Sequence, residues 1–139
     1  MAVSFDLFMN FNGNCREAVD FYAKVFKSEV EGLMTYGDMP PDPSFIVPDS
    51  KRDLIMYACV PIYGSRVMFC DYINDEVIVG NNICPTIGTG DADEIRRLYM
   101  ELQAGGSVGT ELQQTFWSDL YGMVTDKYGI IWQLSHEKG

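Results

Sequence analysis

Histidine is almost missing from this chain: one imidazole, His136, stands in 139 residues. A site that gathers several imidazoles around a metal is therefore excluded. Positive charge is scarce too. Ten Lys and Arg face twenty Asp and Glu, a formal net charge of −10. Such a surface repels phosphate, so nucleic acid is not an expected partner. The apolar runs are only a few residues long, which excludes a helical membrane span and a membrane partner. The first residues, MAVSFDLFMN, lack a basic start and carry Asp6 inside the apolar stretch. They do not read as a secretory signal, and a cytoplasmic location is expected. The four cysteines, Cys15, Cys59, Cys70 and Cys84, form no CxxC pair. They are expected to be reduced, small apolar groups. Gly88-Thr89-Gly90 lacks the third glycine and the Lys-Ser/Thr pair of phosphate loops, so it reads as a turn before a helix.

What is present is a repeat. Helical spacing of apolar residues appears from about Asn14 to Lys27, with Ala18, Phe21, Tyr22, Val25 and Phe26 on one stripe. It appears again from about Asp91 to Ala104, with Ile95, Leu98, Tyr99 and Leu102. Asn14 with Glu17, and Asp91 with Glu94, read as N-caps with capping-box partners. Gly105-Gly106 ends the second helix. A constant shift of 77 maps Asn14 to Asp91, Glu17 to Glu94, Phe21 to Leu98 and Tyr22 to Tyr99. A second echo, Tyr63-Gly64 and Tyr128-Gly129, recurs at a shift of 65. Repeated order with imperfect length is the mark of duplication.

Strand signals surround each helix. Val3 to Phe11, Glu29 to Tyr36, Leu54 to Pro61 and Ser65 to Tyr72 belong to the first half. Asn82 to Thr89, Val108 to Gln114, Leu120 to Asp126 and Ile130 to Ser135 belong to the second. The expected class is α+β: two βαβββ modules, about 1–73 and 82–139, in a single domain. Their curled mixed sheets would surround a cavity, with one helix outside each. Tyr63-Gly64 and Tyr128-Gly129 are expected as hairpin turns. The stretch from Gly37 to Asp53 holds Pro40, Pro41, Pro43 and Pro48 and cannot be a central strand. Loops of that length serve as lids, contacts or spacers.

Specific words narrow the match: FNGNCREAVDFYAKVF at 11–26, MTYGDMP at 34–40 and QQTFWSDLYGMVTDKYGIIWQLS at 113–135. On these the chain resembles the PhnB-like branch of the vicinal-oxygen-chelate superfamily, which contains glyoxalases, dioxygenases and bleomycin-resistance proteins. The resemblance implies a cytoplasmic homodimer with cavities between paired modules. It also implies where a superfamily metal would sit, on the first and last strands of each half. Carried over through Phe21 and Gly129, those positions are Leu7, Met68, Cys84 and Gln133. Leu7 has no donor atom, Met68 offers a thioether, and Gln133 a neutral carbonyl. Cys84 alone is a strong ligand, and one thiolate does not make a cage. No cofactor is therefore expected. The alternative is one divalent metal ion held by Asp71, Asp119 or Asp126. A methyltransferase label travels with PhnB-like sequences, but the chain is too short for a doubly wound cofactor domain.

Two further residues complete the candidate cavity. Arg66 shares strand parity with Met68 and would point inward to an anionic ligand, or outward to solvent. Trp117, beside Phe116 on a loop, either packs beneath it or lines a pocket. His136 reads as part of a charged tail beyond the last strand. Three functions follow from this inventory. The first is a metal-free homodimer that binds an unidentified small molecule, similar in kind to the bleomycin-resistance proteins. The second is a divergent metal-dependent lyase, isomerase or dioxygenase, and the third a dimer with no ligand. Catalytic residues, if there are any, are not identified.

Overall fold

The computed structural model describes residues 2–138. The chain divides between Val77 and Ile78 into two compact units. In the first unit, β1 (Leu7–Phe11) leads to α1 (Cys15–Val25), β2 (Glu31–Thr35), β3 (Ile55–Ile62) and β4 (Ser65–Asp71). The second unit runs β5 (Thr86–Thr89), α2 (Ala92–Gln103), β6 (Ser107–Gln113), β7 (Tyr121–Thr125) and β8 (Ile131–His136). Each unit is thus βαβββ, and the helix starts differ by 77.

The sheets have the same topology. Their strand orders are β1-β4-β3-β2 and β5-β8-β7-β6. In each, the first strand pairs parallel with the last, and the other pairs are antiparallel. A parallel neighbour needs a long crossover, and the helix together with two strands supplies it. Both sheets are open, mixed and four-stranded, and the helix of each packs on one face.

The helices form where the apolar stripes require them. Cys15, Ala18, Val19, Tyr22 and Val25 of α1 are buried, as are Ile95, Leu98 and Leu102 of α2. Each fully buried Ile or Leu is worth roughly 1.5–3 kcal/mol. In the first unit, Tyr22 stacks on Phe69 of β4 with ring centroids 5.7 Å apart. In the second, Trp132 and Leu134 of β8 and Val124 of β7 are buried.

The two helix starts are capped differently. Asp91 does what the sequence implies: its Oδ1 accepts from the Asp93 and Glu94 amides at 3.0 and 3.2 Å. Asn14 stands at the cap position of α1 but makes no side-chain cap bond. The α1 start is instead held by Asp71, whose Oδ1 accepts from the Gly13 and Cys15 amides at 2.9 and 3.0 Å. A cap contributed by β4 replaces a local one. Asp91→Ala is therefore expected to cost about 1 kcal/mol, and Asn14→Ala less than about 0.5 kcal/mol. Urea denaturation of the two variants checks this, and equal losses would contradict it.

Several boundaries differ from the sequence expectation. The first strand begins at Leu7, and Val3 and Phe5 are almost wholly exposed. Its partner β4 starts at Ser65, directly after a turn, so residues 2–6 have little strand to pair with. The fifth strand begins at Thr86 rather than Asn82. The first hairpin turn is Tyr63-Gly64, with φ of 48° and 84°. Two left-handed residues in succession match a type I′ turn, which suits Gly64 and costs Tyr63 some strain. The second hairpin is longer. It spans 126–130, and the Asp126 amide donates to the Ile130 carbonyl at 2.8 Å. The Asp126 carboxylate accepts from the Tyr128 and Ile130 amides and from the Trp132 indole.

The proline-rich stretch contains no strand. It holds two short 3₁₀ turns, Tyr36–Asp38 and Asp49–Lys51, and an isolated bridge from Asp42 to Phe45. Tyr36 is buried beside it, stacks on Phe45 at 6.3 Å and donates its hydroxyl to the Asp71 carbonyl at 2.6 Å.

Candidate functional site

Alternation along the strands gives each sheet a helix-covered face and an open face. In the first unit Met9, Phe11, Val67 and Phe69 are buried beneath α1. Leu7 shares their parity, and its register partner is Val67. Met68 lies on the open face, and its register partner in β1 is Phe8. The expected pairing of Leu7 with Met68 is thus displaced by one residue, because strand parity turns Leu7 toward the helix side. The open face at this point carries Phe8 and Met68, which offer one thioether and no oxygen or nitrogen donor.

Arg66 is not turned into a pocket. It is largely exposed, and its guanidinium bonds to the Asp6 carboxylate at 2.5 Å. That hydrogen bond holds the Asp6 carboxyl below the usual carboxylate range.

In the second unit Gln133 sits mid-strand on the open face of β8, opposite Thr86 in β5 and Met123 in β7. Cys84 lies two residues before β5, half-buried, with its thiol 3.9 Å from the Asn81 carbonyl. Gln133 has a partner that the sequence did not single out. The Tyr121 hydroxyl donates to its Oε1 at 2.8 Å. The Trp117 ring meets the Tyr121 ring edge-on at 5.3 Å, and Phe116 meets Trp117 at 4.8 Å. Two expected site residues, Trp117 and Gln133, are therefore joined through Tyr121. The available signal was parity: Tyr121 and Met123 share a face, and Met123 is the register partner of Gln133.

Divalent-ion chemistry does not fit these residues. The Gln133 carbonyl oxygen already accepts a hydrogen bond, and its neighbours across the sheet are Thr86 and Met123. Among the described residues no three His, Cys, Asp or Glu side chains converge as a metal site. The alternative carboxylates are engaged elsewhere. Asp71 and Asp126 are buried and bonded to amides and to an indole. Asp119 pairs with Lys138 at 2.8 Å, which holds its carboxyl below the usual range.

The cysteines are all free. Burial pushes the Cys15 and Cys70 thiols up, away from thiolate reactivity. His136 is the last residue of β8 rather than part of a tail, because its amide reaches the Leu120 carbonyl and strand pairing extends to Thr89.

Two open mixed sheets of order 1-4-3-2, each with a helix on one face, define the paired βαβββ class of the vicinal-oxygen-chelate superfamily. The chain belongs within it to the PhnB-like family described as 3-demethylubiquinone-9 3-methyltransferase, whose model matches residues 4–135. It is 28% identical over 134 residues to protein YjdN of Escherichia coli, covering 92% of this chain and 91% of that protein. Protein PA1353 of Pseudomonas aeruginosa is 29% identical and superposes with a TM-score of 0.88, over 99% of this chain and 100% of that one. A PhnB protein from Bacillus cereus shares the fold at a TM-score of 0.80 and 23% identity, over 97% of this chain and 100% of the other. No helix among the described residues is long and apolar enough to cross a membrane.

Proposed function

We propose that this protein is a small-molecule-binding homodimer of the PhnB-like family that works without a metal ion. The observation that carries the reading is the run Trp117–Tyr121–Gln133 in the second unit. It sets an exposed indole, a phenol and an amide in sequence along one open sheet face. Such a surface suits a ligand with an apolar ring and a few polar edges. Gln133 keeps its amide nitrogen for the ligand while its oxygen is committed to Tyr121.

Dimerisation follows from exposed edges. Strands β1, β2, β5 and β6 each end a sheet, and such edges are ordinarily covered. Phe5, Ile78 and Ile83 add exposed apolar surface. Methyl transfer, the reaction in the family's description, forms no part of this reading. Both sheets are mixed and four-stranded, and neither offers the parallel doubly wound cleft that seats a dinucleotide-type cofactor.

A thermal-shift screen of polar aromatic compounds tests the reading, because a ligand of the native state raises the melting temperature. At least one compound is expected to stabilise the protein. Trp117→Ala should weaken its binding by about tenfold, the loss of roughly 1.4 kcal/mol from one aromatic contact. Stabilisation unchanged in Trp117→Ala would refute the site. A stoichiometric divalent ion that survives dialysis and is released by Gln133→Ala would refute the metal-free part. Sedimentation of a monomer at micromolar concentration would refute the dimer.

A further inference from the structure

The MTYGDMP motif and the proline-rich stretch that continues it belong to the first unit, whereas the run Trp117–Tyr121–Gln133 belongs to the second. The two ends of that stretch are joined. The Gly37 amide donates to the Arg52 carbonyl at 2.8 Å, and the Tyr36 amide to the Leu54 carbonyl at 3.0 Å. A surface loop closed at its ends and packed on its own side chains is an Ω-loop, a kind that is frequently functional. Residues 37–52 meet that description. Within them Asp42 bridges to Phe45, and the Asp42 carboxylate accepts from the Ser44 amide and hydroxyl at 2.9 and 2.7 Å. The Phe45 ring stacks on buried Tyr36. Pro40, Pro41, Pro43 and Pro48 restrict the unfolded chain, so the folded loop is less costly to order than its length implies.

The loop walls a pocket of about 220 Å³. Tyr36, Met39, Phe45 and Val47 give it apolar sides, and its charged groups are Arg52 and Asp42. A cavity of roughly 150 Å³ accepts benzene. Drug-sized ligands take roughly 300–1,000 Å³. The pocket therefore has room for one ring with a small substituent.

Arg52 decides what that substituent is. Twenty Asp and Glu surround only ten Lys and Arg in this chain. Arg66, Arg96 and Arg97 each stand within ion-pair distance of a carboxylate. Arg52 has no such partner among the described residues, and its guanidinium donates instead to the Gly37 carbonyl at 3.2 Å. That bond steadies the side chain and leaves further N–H donors unspent. A guanidinium takes a carboxylate by two parallel hydrogen bonds. Asp42 does not fill that role, because its carboxylate is committed to Ser44, which holds it below the usual carboxylate range.

We propose that this loop pocket binds a small carboxylate with an apolar body of single-ring size, its body against Tyr36, Phe45 and Val47 and its carboxylate on the Arg52 guanidinium. It is a second ligand site, carried by residues of the first unit alone.

The full-length protein, labelled with ¹⁵N, is titrated with benzoate and with benzamide, its neutral isostere, and followed by NMR of the amide and guanidinium groups. Benzoate should bind saturably, with its largest shifts at Gly37, Phe45 and the Arg52 Nε–H. Benzamide should bind about fivefold more weakly, the scale of one exposed ion pair. Added salt should weaken benzoate and leave benzamide unchanged, because Arg52 is open to solvent. Arg52→Gln should lower benzoate to the affinity of benzamide. Arg52 also steadies Gly37, so benzamide binding by the variant shows that its pocket is intact. If the variant loses benzamide as well, the wild-type ratio and its salt dependence decide. Equal, salt-independent binding of the two compounds would overturn the proposal. So would benzoate shifts centred on Trp117, Tyr121 and Gln133, a result that would support the sheet-face site instead. Absence of saturable benzoate binding would overturn it too, and would leave the sheet-face reading standing on its own test.

Discussion

Asp71→Ala is expected to destabilise the protein by about 3–5 kcal/mol, a large part of the roughly 5–15 kcal/mol that holds a typical domain together. Asp71 is 1% exposed. Its Oδ1 accepts from the Gly13 and Cys15 amides, and its Oδ2 accepts from the Ile55 amide at 2.9 Å. One carboxylate thus ties the end of β4 to the start of α1 and the start of β3. Alanine would leave three donors without their acceptor, each costing about 1–3 kcal/mol where water cannot reach it. Asp71→Asn should fall between, since it retains one carbonyl oxygen and turns an NH₂ toward a remaining donor. Urea denaturation of the three proteins measures the series. A loss below about 1 kcal/mol for the alanine variant would show that the amides find other partners.

Gly106→Ala is expected to cost at least about 3 kcal/mol, at the upper end of overpacking effects. A Cβ at this position would lie 2.0 Å from the Thr125 carbonyl oxygen, and 2.8 and 3.0 Å from backbone atoms of Asp126. No side-chain rotation relieves a clash with backbone. Relief would require β6 to move away from β7, where Ser107 pairs with Thr125. Gly109→Ala, three residues on and within β6, is the control. Its Cβ would stand 3.4 Å from the Met123 carbonyl and 3.5 Å from the Met123 methyl, in ordinary contact. That variant should change stability by less than about 1 kcal/mol. Thermal or urea unfolding separates the two, and similar losses would show that glycine is needed for strand geometry rather than for close approach.

These two residues mark where local reasoning stopped. Gly106 was legible as a helix terminator, since a Gly-Gly pair after an apolar stripe ends a helix. Its role as the point of contact with β7 needed the strand to return. Asp71 was legible only as a fallback carboxylate for a metal. Its partners at Gly13, Cys15 and Ile55 lie 58, 56 and 16 residues away, and no sequence spacing announces them.

The candidate site divides the same way. Trp117 and Gln133 stood out in a long aromatic motif, and both belong to the open face of the second unit. Tyr121 did not stand out, because its importance depends on the β7–β8 register that sets it diagonally across from Gln133. Leu7 was exchanged for Phe8 for a related reason. A one-residue error along a strand reverses the face, and only pairing with β4 settles the parity.

By itself, the sequence determined the duplication, the class, the two helices to within about two residues, and the strand count of each half. Those features rest on periodicity, caps and turns, whose physics acts within a few residues along the chain. Tertiary structure decided the sheet order, the carboxylate that caps α1, and the placement of His136 at the end of β8. Each of these depends on which distant segments pair, because a hydrogen bond or a cavity wall is defined by neighbours in space.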